Sequence, residues 1–370
     1  MLHIIECLTN FGGTARKLLY LARHFPNNNH RLVFLTYQPS VIHDRFEKEG
    51  AKVINANTLS PWRICREIVR VAGDTEADVL CTHFTRPLVT GVIAGRWLGL
   101  PVIHNEHSPC DLRGRLGGLL ARAVYPFVDA VICNSQYTAD SVLRTYNISA
   151  AKLHVVHNPI EARRPIGDRQ AVRAELGLSE RDCLIGHTGG MTSWRDQQTL
   201  IRAFGEIYET NRRLRLLLIG DGPLRPALEN LAADSGLADA VHFIGYSDRI
   251  GDYLSAMDIY VNPAVAEGFG IAVVEAMLAG LPVVLADAGA HPELVQRDVD
   301  GVLYAPRNSM DLGELLRGLI DDRQRRVSLG ANAQTAARAR FAPERYAAQY
   351  CRIVQDTLAA RTCAYIKPEV

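Results

Sequence analysis

The chain has almost no net charge: 41 lysines and arginines are set against 40 aspartates and glutamates in 370 residues, a formal +1. That balance gives no global attraction for nucleic acid, which is not expected as a partner. Paired cysteines are missing too. The eight cysteines (7, 65, 81, 110, 133, 183, 351 and 363) form no C-x-x-C, and most sit in apolar runs such as "DVLCTH" and "AVICNS". They read as reduced core residues of a cytosolic protein. No basic segment or cleavage site precedes "MLHIIECL", so no secretory leader is expected. Long apolar runs are also absent. The longest, "PLVTGVIAGRWLGLPVI", is broken by Arg96 and two prolines, and a membrane span needs about twenty apolar residues. Any membrane association should therefore be peripheral. There is no sequence repeat and no low-complexity tract. "GGTARK" is not a Walker A loop, and neither it nor "GDGPLRPALENLAADSG" supplies G-x-G-x-x-G after a strand. The "DVD" at 298–300 has the spacing of a divalent-ion motif. It runs into Gly301 and "VLYAP", however, the pattern of a turn feeding a short strand, and no metal is expected.

What is present is a long alternation of β-branched runs with helical segments, the pattern of parallel α/β units. Strands are expected at 2–8, 31–37, 51–56, 78–83, 101–107, 130–135 and 153–158, each apolar enough to be covered on both faces. A polar, proline-bearing stretch at 158–170 reads as a linker. A second series follows at 183–189, 214–220, 241–245, 258–263 and 282–287. Leu200, Ile201, Phe204, Ile207 and Tyr208 mark a crossover helix between its first two strands. A last helix should start at Pro343 and bear the stripe Tyr346, Tyr350, Ile353, Val354 and Leu358. The length exceeds what one core sustains, so two doubly wound domains are expected, with ligands bound between them at the carboxyl ends of both sheets.

The stretch "EGFGIAVVEAMLAGLPVV" (267–284) carries the chemistry. Glu267 lies in the loop after the strand "DIYVNP", and a helix begins near Ile271. The amides of Gly268, Phe269, Gly270 and Ile271 form its amino terminus, where unpaired N–H groups and the macrodipole suit a diphosphate. Glycines let the backbone approach such a ligand closely. Glu275, one turn on, is placed to hold a different part of the same ligand. One carboxylate for a sugar and one for a ribose would account for the spacing.

This segment resembles the E-x7-E signature of the retaining glycosyltransferases of family 4, which have the GT-B fold, two Rossmann-like domains. The similarity extends over nearly the whole chain: "NFGGTARKLLYLA", "HNPIE", "LLIGDGPLRPALENLA", "VHFIGY" and "RDVDGVLYAP" follow in the family's order. The resemblance implies an acceptor-binding domain at 1–160, a nucleotide-sugar-binding domain at 161–342, and a helix at 343–370 crossing back to the first. It assigns Glu267 to the donor-sugar hydroxyls and Glu275 to the nucleotide ribose. His107, in "NEHS", would sit near donor sugar and phosphate, with His83 and His104 as weaker, more structural candidates. Gly12 and Gly13 would let the first loop approach diphosphate or acceptor, and Tyr246 lies where the base packs or else in the core.

One departure stands out. The family commonly clamps the donor phosphates with an arginine and, a few residues on, a lysine. In "GHTGGMTSWRDQQTLIRAF", Arg195 takes the lysine position, but Gly189 or Gly190 replaces the arginine. Arg16 or Lys17 would be the compensating cations. The expected activity is transfer of a sugar from a nucleotide sugar to an acceptor hydroxyl, with retention and without a covalent nucleophile or cofactor. The alternatives are a non-catalytic sugar-nucleotide-binding subunit and an NAD-dependent oxidoreductase. Finally, "SPCDLRGRLGGLLARAVYPF" (108–127), helical from Arg115, gathers Leu116, Leu119, Leu120, Ala123 and Phe127 on one face, with Arg113, Arg115 and Arg122 beside it. Such a face either packs on its domain or rests on an anionic membrane. The second option makes 113–127 a peripheral contact on the inner face of the plasma membrane. A cytoplasmic enzyme placed there would extend a lipid-linked or surface polysaccharide acceptor.

Overall fold

The structure, a computed structural model, describes residues 1–6, 13–24, 33–36, 43–110, 115–161 and 168–365. Its contacts divide the chain into two units, Met1–Pro159 with Pro343–Val370, and Ile160–Ala342.

The first unit has seven strands: β1 (Leu2–Ile5), β2 (Val33–Thr36), β3 (Lys52–Asn55), β4 (Leu80–His83), β5 (Val102–Glu106), β6 (Ala130–Cys133) and β7 (Leu153–Val155). They form one parallel sheet in the order β3-β2-β1-β4-β5-β6-β7. The strand order reverses between β1 and β4, and at such a switch point the loops beyond the strand ends part to leave a crevice. Ile64, Ile68, Leu88, Val92, Tyr125 and Val142 cover one face of the sheet. Leu18, Leu21, Phe46, Tyr346, Tyr350 and Val354 cover the other. The last three come from the helix Pro343–Tyr365, which opens on its proline and buries the stripe read from the sequence.

The second unit repeats the plan with six strands: β8 (Cys183–Thr188), β9 (Leu214–Ile219), β10 (Val241–Gly245), β11 (Ile259–Asn262), β12 (Val283–Ala286) and β13 (Val302–Tyr304). The order is β10-β9-β8-β11-β12-β13, so the switch point falls between β8 and β11. Every strand expected from the sequence forms, several of them shorter than their apolar runs. The short strand after the "DVD" stretch is β13. Asp298 there adopts a left-handed φ of 61°, and Asp300 accepts a hydrogen bond from the amide of Gln296, which makes this a turn. Cys65, Cys81, Cys110, Cys133 and Cys351 are buried thiols, and Cys183 is half-buried. Cys7 and Cys363 lie outside the residues whose surroundings are described. Among the described residues no helix is long and apolar enough to cross a membrane.

Candidate active site

The two strands flanking the second switch point deliver the residues singled out above. β8 leads through Gly189 and Gly190 into a single helical turn, Ser193–Arg195. β11 leads into the loop that carries Glu267. The guanidinium of Arg195 donates to the Glu267 carboxylate, with 26% and 12% of the two side chains exposed. The expected phosphate cation and the expected sugar carboxylate are thus partners, joined across 72 residues of sequence.

The loop is shaped by two glycines. Gly289, at φ +59°, packs so closely beneath Glu267 that a Cβ would lie 2.7 Å from the Glu267 amide nitrogen. Gly270, at φ +96°, caps the helix Ile271–Leu278, and no side chain caps that end. A left-handed conformation is cheap only for glycine, so both positions need it. Phe269 is turned inward against Phe341. Its side chain therefore anchors the loop, and only its backbone is left for the ligand role expected of it. Glu275 is buried in the first turns of the same helix. The carboxyl end of this helix is fixed by Gln334, whose amide donates to Leu278 O at 2.8 Å. Burial pushes the neighbouring His187 imidazole down to about 4, so it is neutral, bonded through Nδ1 to Val261 O.

Tyr246, left open between base stacking and the core, is 84% exposed and no part of the core. Gly12 lies outside the described residues, and Gly13 begins the helix Gly13–His24. Lys17 on that helix is buried and stacked over the Tyr346 ring at 5.4 Å, so it is enclosed in the first unit's core. His107 follows β5, half-buried, its carbonyl accepting from Asn134 Nδ2 at 2.9 Å. Arg195, Glu267, Gly268, Gly270, Ile271 and Glu275 gather in the second unit, while His107 and Gly13 belong to the first.

Sequence families divide the chain as the contacts do. The family described as Glycosyltransferase Family 4 matches residues 11–164, and the one described as Glycosyl transferases group 1 matches 168–336. The chain belongs to the family 4 glycosyltransferases. A relative named D-inositol 3-phosphate glycosyltransferase 2, from Catenulispora acidiphila, is 29% identical over 77% of this glycosyltransferase and 73% of its own length. The D-inositol 3-phosphate glycosyltransferase of Streptomyces avermitilis is 27% identical over 66% of the chain, which spans only 58% of it. Among solved structures, Anabaena HepE in complex with UDP-glucose aligns at a TM-score of 0.84 with 23% identity, covering 96% of the glycosyltransferase and 99% of HepE. The likeness shows the GT-B fold.

Some residues of the glycosyltransferase escaped the sequence reading. His291 is buried within electrostatic reach of Glu267 and Arg195, bonded through Nδ1 to Ala286 O. His83 and His3, one a weak candidate and the other unremarked, line up behind His107. Their only sequence signal is a histidine within a strand, which is common in cores.

Proposed function

We propose that this glycosyltransferase moves a sugar from a nucleoside-diphosphate donor to the hydroxyl of a lipid-linked or growing surface glycan, with retention. The observation that carries the reading is the Arg195–Glu267 pair beside the uncapped helix start at Gly270. A diphosphate there would meet helix amides, the positive end of a macrodipole and a guanidinium able to bond it in a bidentate manner. Those groups would stabilise the charge that develops on the leaving diphosphate. Glu267 would accept hydroxyl hydrogen bonds from the sugar, Glu275 would hold the ribose, and His107 would touch the donor sugar. Metal is not needed in this scheme, so transfer should persist in EDTA.

A panel of nucleotide sugars, scored by thermal stabilisation, identifies the donor, because a ligand bound only by the native state raises its apparent stability. The product's anomeric coupling in NMR then tests retention, and inverted product would overturn it.

The acceptor reading is supported by the first unit's surface. Leu116, Leu119 and Leu120 on the helix Arg115–Val124 are 73%, 66% and 48% exposed. The apolar face thus turns outward, while Ala121 on the same helix is fully buried. Ile93 and Trp97 of the adjoining helix Thr85–Leu98 are also exposed, as is Phe127, which stacks under the Arg96 guanidinium at 5.0 Å. Tryptophan, leucine and arginine together suit an anionic bilayer surface, where each basic residue contributes about 1 kcal/mol. Arg122 is exposed on this helix, while Arg113 lies outside the described residues. Flotation with anionic liposomes should depend on salt and be lost in the Arg113/Arg115/Arg122→Glu variant.

A further inference from the structure

Three imidazoles form a file through the first unit. His3 lies on β1, His83 ends β4, and His107 follows β5, three adjacent strands. His3 Nδ1 is 3.0 Å from His83 Nε2, and His83 Nδ1 is 3.0 Å from His107 Nε2. The ring planes differ by only 21° and 15°, with centroids 5.3 Å apart in both pairs. That separation is what an in-plane bond between ring edges gives, so each N–H can point straight at a lone pair.

Each bond needs one donor and one acceptor, and a neutral imidazole has one of each. The file therefore has two consistent directions. If the protons point inward, His3 Nε2 must carry an N–H. That nitrogen is buried with no hydrogen-bond partner among the described residues. An orphaned buried N–H is rarer and costlier than a bare lone pair. The inner end also holds positive charge: Lys17 sits over Tyr346, Tyr346 packs on Tyr350, and Tyr350 stacks on His3 at 6.1 Å. A nearby ammonium favours a lone pair over a proton. The protons therefore point outward, and His83 Nδ1–H donates to His107 Nε2.

We propose that His83 and His3 are positioning residues that fix His107 as the tautomer carrying its proton on Nδ1. Placing a proton on Nε2 would require both bonds to reverse and would strand an N–H in the core. Phe84 holds the ring from another side, its own ring 5.1 Å away. Its backbone, at φ 67° and ψ 171°, occupies a region that is essentially glycine's, the kind of strain that surrounding structure must enforce. In its neutral form His107 thereby carries its N–H on Nδ1, in a fixed orientation. The catalytic consequence rests on the reading of His107 as a donor-contacting residue, whereas the tautomer rests on the geometry alone.

Nitrogen-15 NMR of histidine-labelled full-length protein reads the tautomer without any substrate. His107 should show a protonated Nδ1 and a bare Nε2. His83→Leu should release it to a mixture weighted towards Nε2–H. His83→Asn, whose amide occupies the place of Nδ1, should restore the wild-type signature, and His3→Leu should weaken it. A wild-type His107 protonated at Nε2, or a spectrum unmoved by His83→Leu, would overturn the proposal. With an active donor in hand, His83→Leu should lower kcat about 10-fold, the scale of losing an orienting partner. The donor KM should change little, and His83→Asn should recover part of the rate. Failure to transfer sugar at all would overturn the reading of the function while leaving the tautomer result standing.

Discussion

Gly189 and Gly190 are the two positions where the family resemblance would set a phosphate-binding arginine, yet they are not equivalent. A Cβ at 189 would lie 2.9 Å from Nε2 of the buried His187, whereas at 190 it would meet only Asp221 O at an ordinary 3.6 Å. Gly190→Arg should therefore fold normally and tighten diphosphate binding about tenfold, the worth of one added charge-assisted hydrogen bond. Gly189→Arg should instead cost about 1–3 kcal/mol through overpacking. Melting curves and nucleotide titration separate the two. The Arg195–Glu267 pair sets a second expectation. Glu267→Gln leaves Arg195 without its carboxylate, but 26% of the arginine side chain is exposed, so water can replace part of the lost bond. The variant should keep its fold and lose transfer, since an amide accepts at only one of its two ends. Glu275→Ala should raise the donor KM more than it lowers kcat. Steady-state kinetics with a circular dichroism control tests both, and near wild-type turnover by Glu267→Gln would remove Glu267 from the donor site.

At the level of elements, what was legible depended on whether the signal was local. The helix from Pro343 could be read because a proline start and a 3.6-residue stripe lie within one segment. The loop and helix from Glu267 to Glu275 were legible for the same reason: strand, glycines and carboxylates adjoin in sequence. The pairing of Arg195 with Glu267 and the histidine file were not, since 72, 80 and 24 residues separate the partners and only the strand order joins them. Periodicity also located an apolar face on the helix Arg115–Val124 without saying which way it turned. Its outward orientation makes a sharp expectation. Leu119→Asp should leave stability within about 0.5 kcal/mol, as substitutions at exposed sites do, while abolishing liposome flotation. A large fall in melting temperature would mean the face is packed after all.

On the scale of the whole molecule, both units enclose imidazoles that cannot easily charge. Burial holds His3 down to about 3 and His187 to about 4, and pushes His83 well below the usual histidine value. Between those values and about 6.5, the unfolded chain binds protons that the native state refuses. Stability therefore rises with pH across that window and is lost as pH falls below about 6.5. Urea midpoints should drop between roughly pH 6.5 and 5, before most carboxylates titrate. His187→Gln should flatten part of that slope. Lys17 acts in a separate window. Burial lowers it to about 8 from 10.5, so further stability should appear as pH rises from 8 to 10.5 and vanish in Lys17→Met.

The return of the helix Pro343–Tyr365 to the first unit also sets an order in time. Synthesis runs from the amino end, yet the sheet β1–β7 lacks Tyr346, Tyr350 and Val354 over one face until those residues have been made. The second unit, continuous from Ile160 to Ala342, is complete earlier. On the ribosome the later-encoded half should therefore be the first to close. Meanwhile the earlier half waits with Leu18 and Phe46 uncovered, a ready client for chaperones until the last helix emerges.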